Sequence, residues 1–229
     1  MTENKVKIKV TKDGPYQVEG GVEVQKKIAQ PNKEGIPEKW VDGEKLPKCQ
    51  NCRLCRCGRS QDKPFCDESH TRWQFDGTER DADEPYEQNA EVFDGDGIEL
   101  HDNRHLCSSA RFCDLGKGAW VLTDQSANSE NKKMAIQEAC DCPSGRLVMF
   151  DKKTGKPIEP KLEKSIGIIE DPSANVSGPL FVQGGIPVES ADGKTYEIRN
   201  RMTLCRCGKS RNKPFCDGSH IAYGFNDGD

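Results

Sequence analysis

Residues 54–75 read LCRCGRSQDKPFCDESHTRWQF, and residues 204–225 read LCRCGKSRNKPFCDGSHIAYGF. Fourteen of the 22 aligned positions are identical, so the chain contains an internal repeat. Both copies keep the spacing C-x-C-x8-C-x3-H, which leaves three thiols and one imidazole at matched positions. The repeat indicates two metal centres, held by Cys55, Cys57, Cys66 and His70 in the first copy and by Cys205, Cys207, Cys216 and His220 in the second.

Three thiolates and one imidazole suit more than one metal. Zinc accepts this donor set in tetrahedral sites. A two-iron cluster accepts it as well, with the Cys-x-Cys pair on one iron and the later Cys and His on the other. Gly58 and Gly208 follow the Cys-x-Cys pairs and permit a tight turn there. The residues alone leave zinc and iron–sulfur both open.

The composition narrows the compartment and the class of protein. The chain has 12 cysteines, and its first residues lack the apolar run of a signal peptide. No stretch approaches the roughly 18 apolar residues of a membrane helix. We therefore expect a cytoplasmic protein with no membrane segment, in which clustered cysteines bind metal rather than form disulfides.

The charge balance argues against nucleic acid as a partner. The net charge is −4, and the Lys and Arg residues are dispersed among acids instead of forming a basic face. Hydrophobic residues make up only 33% of the chain, which is a thin supply of core for this length. Bound metal adds folding energy to such a chain.

The repeat extends upstream of the cysteines and defines three parts. Residues 14–21, GPYQVEGG, resemble residues 178–185, GPLFVQGG, and alternating apolar residues predict a small antiparallel sheet before each motif. We predict a first unit in residues 1–75, an insertion in residues 76–172 and a second unit in residues 173–229. In the insertion, Ser129 is expected to cap a short helix.

Both repeat segments resemble the CDGSH iron–sulfur family. The second carries CDGSH itself at residues 216–220, whereas the first has CDESH at residues 66–70, with Glu68 in place of Gly. The resemblance implies a 2Fe-2S cluster with three Cys and one His ligand in each unit, under a β-rich cap. It also implies that the two units pair within one chain as an intramolecular pseudo-dimer, so that the protein is a monomer of α+β class.

Four further cysteines lie in the insertion. The stretch around Cys107 and Cys113, with Cys142-Pro143 downstream, resembles the divergent single-cluster ferredoxin domains found fused to CDGSH units. That family usually has a His two residues after its first Cys, where this chain has Ser109. With Cys140 as the replacement, we predict a 4Fe-4S cluster on Cys107, Cys113, Cys140 and Cys142 in a small ferredoxin-like α+β domain. A zinc site or free thiols are the alternatives.

Cys49 and Cys52 stand six and three residues before Cys55, respectively. Three interpretations remain open for them: a disulfide or free thiol pair, a ligand for the middle cluster, or a transfer relay beside the first cluster.

No catalytic motif is present, because the sequence lacks a nucleophile elbow, a P-loop and a dinucleotide fingerprint. We therefore expect an iron–sulfur protein that is not an enzyme. Its predicted function is electron transfer, with redox proteins as partners. The alternatives are storage or delivery of clusters to apo iron–sulfur acceptors, redox or iron sensing, and a zinc-stabilised binding module.

Overall fold

The computed structural model describes residues 6–228, which form two β-sheets and several short helices. Residues 1–5, on which the signal-peptide prediction depends, lie outside the described residues. The strands are β1 (Lys7–Val10), β2 (Tyr16–Pro31), β3 (Pro37–Lys45), β4 (Cys49–Leu54), β5 (Glu91–Asp94), β6 (Ile98–Asp102), β7 (Leu147–Asp151), β8 (Lys156–Ile158), β9 (Ser165–Asp171), β10 (Val176–Gln183), β11 (Val188–Glu189) and β12 (Arg201–Leu204). The α-helices are α1 (Ser69–Arg72), α2 (Ala119–Asp124), α3 (Ser129–Asp141) and α4 (Ser219–Ala222), and 3-10 turns cover Tyr86–Asn89, Arg104–Leu106 and Phe112–Asp114.

The larger sheet has eight strands and is built from both repeat units. Its main path runs β11-β1-β2-β9-β10-β12, and β3 and β4 also pair with β2. Strand β2 is long enough to pair with two sets of strands. Its first half pairs with β1 and β4, and its second half pairs with β3 and β9. The change falls at Gly20 and Gly21, whose φ angles of 92° and 79° suit glycine.

The two units exchange strands in a reciprocal way. Strand β1 lies antiparallel to β2 and parallel to β11 of the second unit. Strand β9 lies antiparallel to β10 and parallel to the second half of β2 in the first unit. One apolar core therefore spans both units, with Val18 and Val24 beside Ile166 and Leu180. This arrangement is the intramolecular pseudo-dimer that the repeat predicts, and the α+β class is confirmed.

Strand β9 occupies in the second unit the place that β1 has in the first. Its residues fall within the predicted range of the insertion, 76–172, yet they pair with the large sheet. The reason is its burial: four consecutive residues from Ile166 to Ile169 are buried, which requires cover on both faces of the strand.

The insertion forms a separate four-stranded antiparallel sheet in the order β5-β6-β7-β8. Helices α2 and α3 cover one face of it, with Leu122 and Ala135 packed against Leu100 and Met149. Asn128, one residue before the expected Ser129, caps α3 by accepting hydrogen bonds from the next backbone N–H groups.

Buried polar contacts fix the insertion to the rest of the molecule. Arg201 on β12 is buried and donates to the carbonyl oxygens of Ala139, Cys140 and Cys142, each at 2.7 Å. Trp40 on β3 stacks on Phe112 with ring centroids 4.4 Å apart.

In the described part of the chain, no helix combines the length and apolar character needed to cross a membrane.

Candidate metal centres

The two repeat motifs place their donor atoms in matched pairs. The sulfur atoms of Cys55 and Cys57 lie 3.8 Å apart, and those of Cys205 and Cys207 lie at the same separation. The Cys66 sulfur lies 3.5 Å from Nδ1 of His70, and the equivalent distance from Cys216 to His220 is also 3.5 Å. All eight predicted residues are therefore arranged as four donor pairs.

These separations equal the span of two ligands on one tetrahedral metal. Bonds of about 2.3 Å to sulfur and about 2.0 Å to nitrogen place two thiolates about 3.8 Å apart and a thiolate and an imidazole about 3.5 Å apart. Larger groups of ligand atoms are rare, however. Among the described residues, Cys66, Glu68 and His70 form the one group of three or more Cys, His, Asp or Glu residues whose ligand atoms all lie within 4.8 Å of one another. Each motif therefore forms two separate pairs instead of one four-donor cage.

Backbone N–H groups point at the sulfur atoms in both copies. Cys57 accepts from the amide of Arg59 at 3.4 Å, and Cys66 accepts from that of Glu68 at 3.5 Å. The second copy repeats both contacts at Cys207 and Cys216. Such donors stabilise negative charge on sulfur, which is the form that binds metal.

The loop between the third Cys and the His is held by an aspartate. Asp67 accepts from the backbone amides of Gln61 and Ser69, both at 2.9 Å. The Gln61 amide is the main reason that the pKa of Asp67 is well below its usual range. Asp217 makes the same two contacts in the second copy, to Arg211 and Ser219. The carboxylate thus ties the helix that carries the histidine to the loop after the Cys-x-Cys pair.

The two Cys-x-Cys loops lie back to back. A Cβ atom on Gly58 would lie 2.5 Å from the carbonyl oxygen of Cys207, and one on Gly208 would lie 2.5 Å from the carbonyl oxygen of Cys57. The glycines have φ angles of 73° and 75°. Tyr16 adds a further cross-link, because its hydroxyl donates to the carbonyl oxygen of Cys205 at 2.8 Å. Each Cys-x-Cys loop therefore packs directly against the loop of the other unit.

A buried arginine separates the two cysteines of each Cys-x-Cys pair. Arg56 donates to the carbonyl oxygen of Thr11 at 3.0 Å and to that of Gly77, and it makes no salt bridge within the described residues. Arg206 instead pairs with Glu170, at 3.2 Å, and with Asp227. Both guanidinium groups therefore tie the Cys-x-Cys loops to neighbouring segments of the chain. The C-R-C repeat is the signal in the sequence that identifies both arginines.

In the metal-free site, hydrogen bonding between paired thiols and burial shift the pKa values of the cysteines in opposite directions. Within each Cys-x-Cys pair, the hydrogen bond from Cys57 lowers the pKa of Cys55, and that from Cys207 lowers the pKa of Cys205. Burial raises the pKa of Cys66. Burial also lowers the pKa of His220 to about 4, which keeps its imidazole neutral and available as a ligand.

The second centre is covered, whereas the first is partly open. Cys216 and His220 are buried, but Cys66 and His70 are only half-buried. The cover comes from the insertion: a Cβ atom on Gly218 would lie 2.2 Å from the hydroxyl oxygen of Ser109. This contact gives the physical reason that position 218 is glycine.

The first centre has a carboxylate where the second has Gly218. Glu68 lies with φ at 67°, in the left-handed region, and its carboxylate is 3.4 Å from Nε2 of His70. Arg53 holds the same carboxylate from the other side. Because Nδ1 of His70 faces Cys66, the outer nitrogen is free to donate to Glu68, an arrangement that orients a metal-bound histidine.

The insertion brings together three of its four predicted ligands. Cys107, Cys113 and Cys142 line one cavity. Burial, followed by the neighbouring Cys142, raises the pKa of Cys113. Nη1 of Arg146 donates to the Cys107 sulfur at 3.1 Å, while two bonds to Asp102 hold its guanidinium in place. Sequence reasoning missed Arg146, since a single Arg after a Cys-Pro segment carries no distinctive signal.

Cys140 does not join this cavity. Its sulfur lies 3.5 Å from the carbonyl oxygen of Ile158. The charged groups that act on its pKa are Arg201, Glu159 and Asp141. The difference from the expected four-cysteine set follows from helix geometry, because side chains two residues apart, such as those of Cys140 and Cys142 at the end of α3, point in different directions.

Cys49 and Cys52 form a disulfide in β4. Both side chains pack against the core of the large sheet. Neither residue lines the cavity of the insertion cysteines. Of the three interpretations left open by the sequence, the structure therefore supports the first, in which the two cysteines pair with each other as a disulfide.

Comparison with known families places all three parts. Residues 13–71 and 177–221 match the family model described as iron-binding zinc finger, CDGSH type. The chain therefore contains two CDGSH-type segments. Between its CDGSH segments, residues 93–152 match the model of a divergent 4Fe-4S mono-cluster domain. No curated protein and no solved structure gives a significant match. The chain is therefore an iron–sulfur protein in which a divergent 4Fe-4S segment lies between two CDGSH segments, as the resemblance implied.

Proposed function

We propose that this protein transfers electrons, and that its CDGSH units hold one 2Fe-2S cluster each through three Cys and one His. The observation that carries the proposal is the division of each motif into two donor pairs. A single tetrahedral zinc ion needs all four donors within about 3.8 Å of one another. Among the described residues, no further Cys, His, Asp or Glu ligand atom lies within 4.8 Å of both sulfur atoms of either Cys-x-Cys pair. Two metal ions per motif meet this constraint.

The surroundings of the ligands favour retention of the metal during redox chemistry. Cys55, Cys57, Cys205 and Cys207 are all buried. A bound 2Fe-2S cluster supplies a one-electron acceptor. The protein's own residues exclude water from the sulfur atoms and donate N–H groups to them. The N–H groups stabilise added negative charge on sulfur without protonation of a ligand, and burial limits the access of water to the ligands.

The third centre belongs to the same proposal. Cys107, Cys113 and Cys142 would hold an iron–sulfur cluster in the insertion, with Arg146 donating to one ligand sulfur. Ser109, two residues after Cys107, lies against Gly218 of the second CDGSH loop, which supports a position of this centre close to that loop. The arrangement suits electron exchange between neighbouring centres within one chain.

The test is metal analysis on protein purified without oxygen. We expect visible absorbance, with iron and sulfide in equal amounts. Cys57→Ser and Cys207→Ser should each remove about two irons per chain, since each affects one two-iron site. Reversible reduction and reoxidation with unchanged iron content is the expected redox result. A colourless protein with stoichiometric zinc after reconstitution would refute the proposal.

Cluster delivery is a second candidate, and the exposure of the first centre favours it. Cys66 and His70 are half-buried, while their counterparts Cys216 and His220 are buried. Mixing the loaded protein with an apo-ferredoxin should therefore move about two irons, and prior removal of the first site by Cys57→Ser should abolish the movement. Equal transfer after Cys207→Ser is the matched control. Transfer that needs Cys207 instead would contradict the assignment to the first centre.

A further inference from the structure

A basic cavity opens between the two CDGSH loops, next to a predicted cluster ligand. It has a volume of about 540 Å³, and Cys57 and Gly208 form part of its wall. We propose that this face docks an acidic redox protein, which exchanges electrons with the chain at this point. The inference rests on the proposed electron-transfer function and names the chemistry of its partner.

The charge of the cavity is opposite to that of the whole protein. One acidic residue, Asp76, lies in its wall. The cations of the wall are Arg59, Arg80, Lys209, Arg211 and Lys213. The chain as a whole has a net charge of −4. Positive charge is therefore concentrated where the two loops meet, and a concentrated field of one sign steers a partner of opposite sign.

The rims of the cavity repeat the pseudo-two-fold symmetry. The Arg59 guanidinium lies 4.8 Å from the ring centroid of Trp73, and the Lys209 ammonium lies 5.4 Å from that of Tyr223. The two rings are 63% and 65% exposed, respectively. Exposed Trp, Tyr and Arg side chains are the types that dominate binding energy at protein interfaces. Both rims thus offer an aromatic ring with a cation on it.

The placement of the cations favours a protein surface over a small anion. Arg80 is paired with Asp76 at 2.8 Å, and Lys213 donates to the carbonyl oxygen of Ser210 at 2.9 Å. Arg59 and Lys209 lie over their rings, at opposite rims. Arg211 is almost fully exposed, and its guanidinium lies 3.8 Å from the Asp217 carboxylate. These cations form a broad field around the opening instead of converging on one point, and a broad field suits an extended acidic surface.

Docking at this face brings the partner against a ligand of the first centre. Cys57 lines the cavity directly, and its neighbour Gly58 contacts Cys207 of the second centre. In the proposed step one electron leaves a reduced acidic carrier, which is oxidised, and reduces one cluster of the chain. No bond is formed or broken, so the face needs only to hold the partner.

The experiment uses the cluster-loaded protein and a plant-type 2Fe-2S ferredoxin as the acidic probe. The rate of reduction by the reduced ferredoxin and the affinity for the oxidised ferredoxin are measured at several ionic strengths. The test variant is Arg59→Glu with Lys209→Glu, and Arg211→Glu tests the field at a site that is almost fully exposed. The matched control, Lys39→Glu with Lys153→Glu, makes the same charge change on exposed residues outside the cavity. Reduction by a neutral photoreduced deazaflavin checks that the clusters are intact.

We expect the wild-type rate to fall steeply with salt, because opposite charges are screened. At low salt the test variant should lose roughly tenfold or more in rate and in affinity, and the control much less. Equal losses in test and control variants, with normal reduction by deazaflavin, would overturn the docking face and leave the proposed function standing. Failure of deazaflavin to reduce the wild-type clusters would instead overturn the proposed function. Saturable binding of inorganic triphosphate that Arg59→Glu with Lys209→Glu abolishes, without any effect on the ferredoxin, would assign the cavity to a small anion and refute the proposal.

Discussion

Gly58→Ala is expected to weaken both CDGSH centres through a single added methyl group. The new Cβ atom would lie 2.5 Å from the carbonyl oxygen and 2.8 Å from the carbonyl carbon of Cys207. These are backbone atoms next to a cluster ligand, so the clash cannot be relieved by turning a side chain. The left-handed φ of 73° adds its own cost for a residue with a side chain.

The magnitude can be separated into two parts. The left-handed backbone costs about 1–2 kcal/mol for a residue other than glycine. Displacement of tightly packed atoms costs about 1–3 kcal/mol more. Gly35→Ala isolates the first part, because Gly35 has a φ of 82° and no atom within 4 Å of its ideal Cβ position. The contact should therefore lower the free energy of unfolding by about 1–3 kcal/mol beyond the control.

The assay is thermal unfolding of the loaded protein, followed by visible absorbance and by circular dichroism. For a chain of this length, 1 kcal/mol corresponds to about 2–4 °C in the midpoint. Gly58→Ala should therefore unfold about 2–12 °C below Gly35→Ala, and Gly208→Ala should match it. Both clusters should bleach together in each variant. Equal midpoints for Gly58→Ala and Gly35→Ala would refute the back-to-back contact.

Three other predictions follow from single contacts. Glu68→Gly removes the carboxylate beside His70 and relieves left-handed backbone strain of about 1 kcal/mol. The first site should therefore lose iron to a chelator roughly tenfold faster, without a lower thermal midpoint. An unchanged rate would show that the carboxylate does not hold the imidazole. Cys142→Ser should remove the iron of the insertion whereas Cys140→Ser should keep it, and iron analysis that finds equal loss would bring Cys140 back as a ligand. Arg111→Ala removes two hydrogen bonds, of 2.8 and 2.6 Å, to the buried Asp171 beside the second site, and should lower the free energy of unfolding by about 1–3 kcal/mol. A chelator should then remove iron from the second site faster. A rate equal to that of the wild type would contradict the role of the insertion as a cover.

Local spacing explains why the predicted donor atoms lie close together in pairs. In a Cys-x-Cys pair and in a Cys followed four residues later by a His, the donors of each pair are neighbours along the chain. The structure accordingly gives 3.8 Å between Cys55 and Cys57 and 3.5 Å between Cys66 and His70. The same reasoning was less successful for Cys140, because a position on a helix turns away from its neighbour two residues on.

By itself, the sequence determined the repeat, the donor pairs, the order of the three parts and the α+β class, since all of these depend on residue type and short-range spacing. Only the tertiary structure decided how the units exchange β1 and β9, and that the insertion covers the second centre but leaves the first partly open. The two motifs share 14 of 22 positions and the same ligand spacing, so the spacing alone does not distinguish their environments. The difference arises from the long-range contact with Ser109 at the second centre and from Glu68 at the first, whose contact with His70 only the structure reveals.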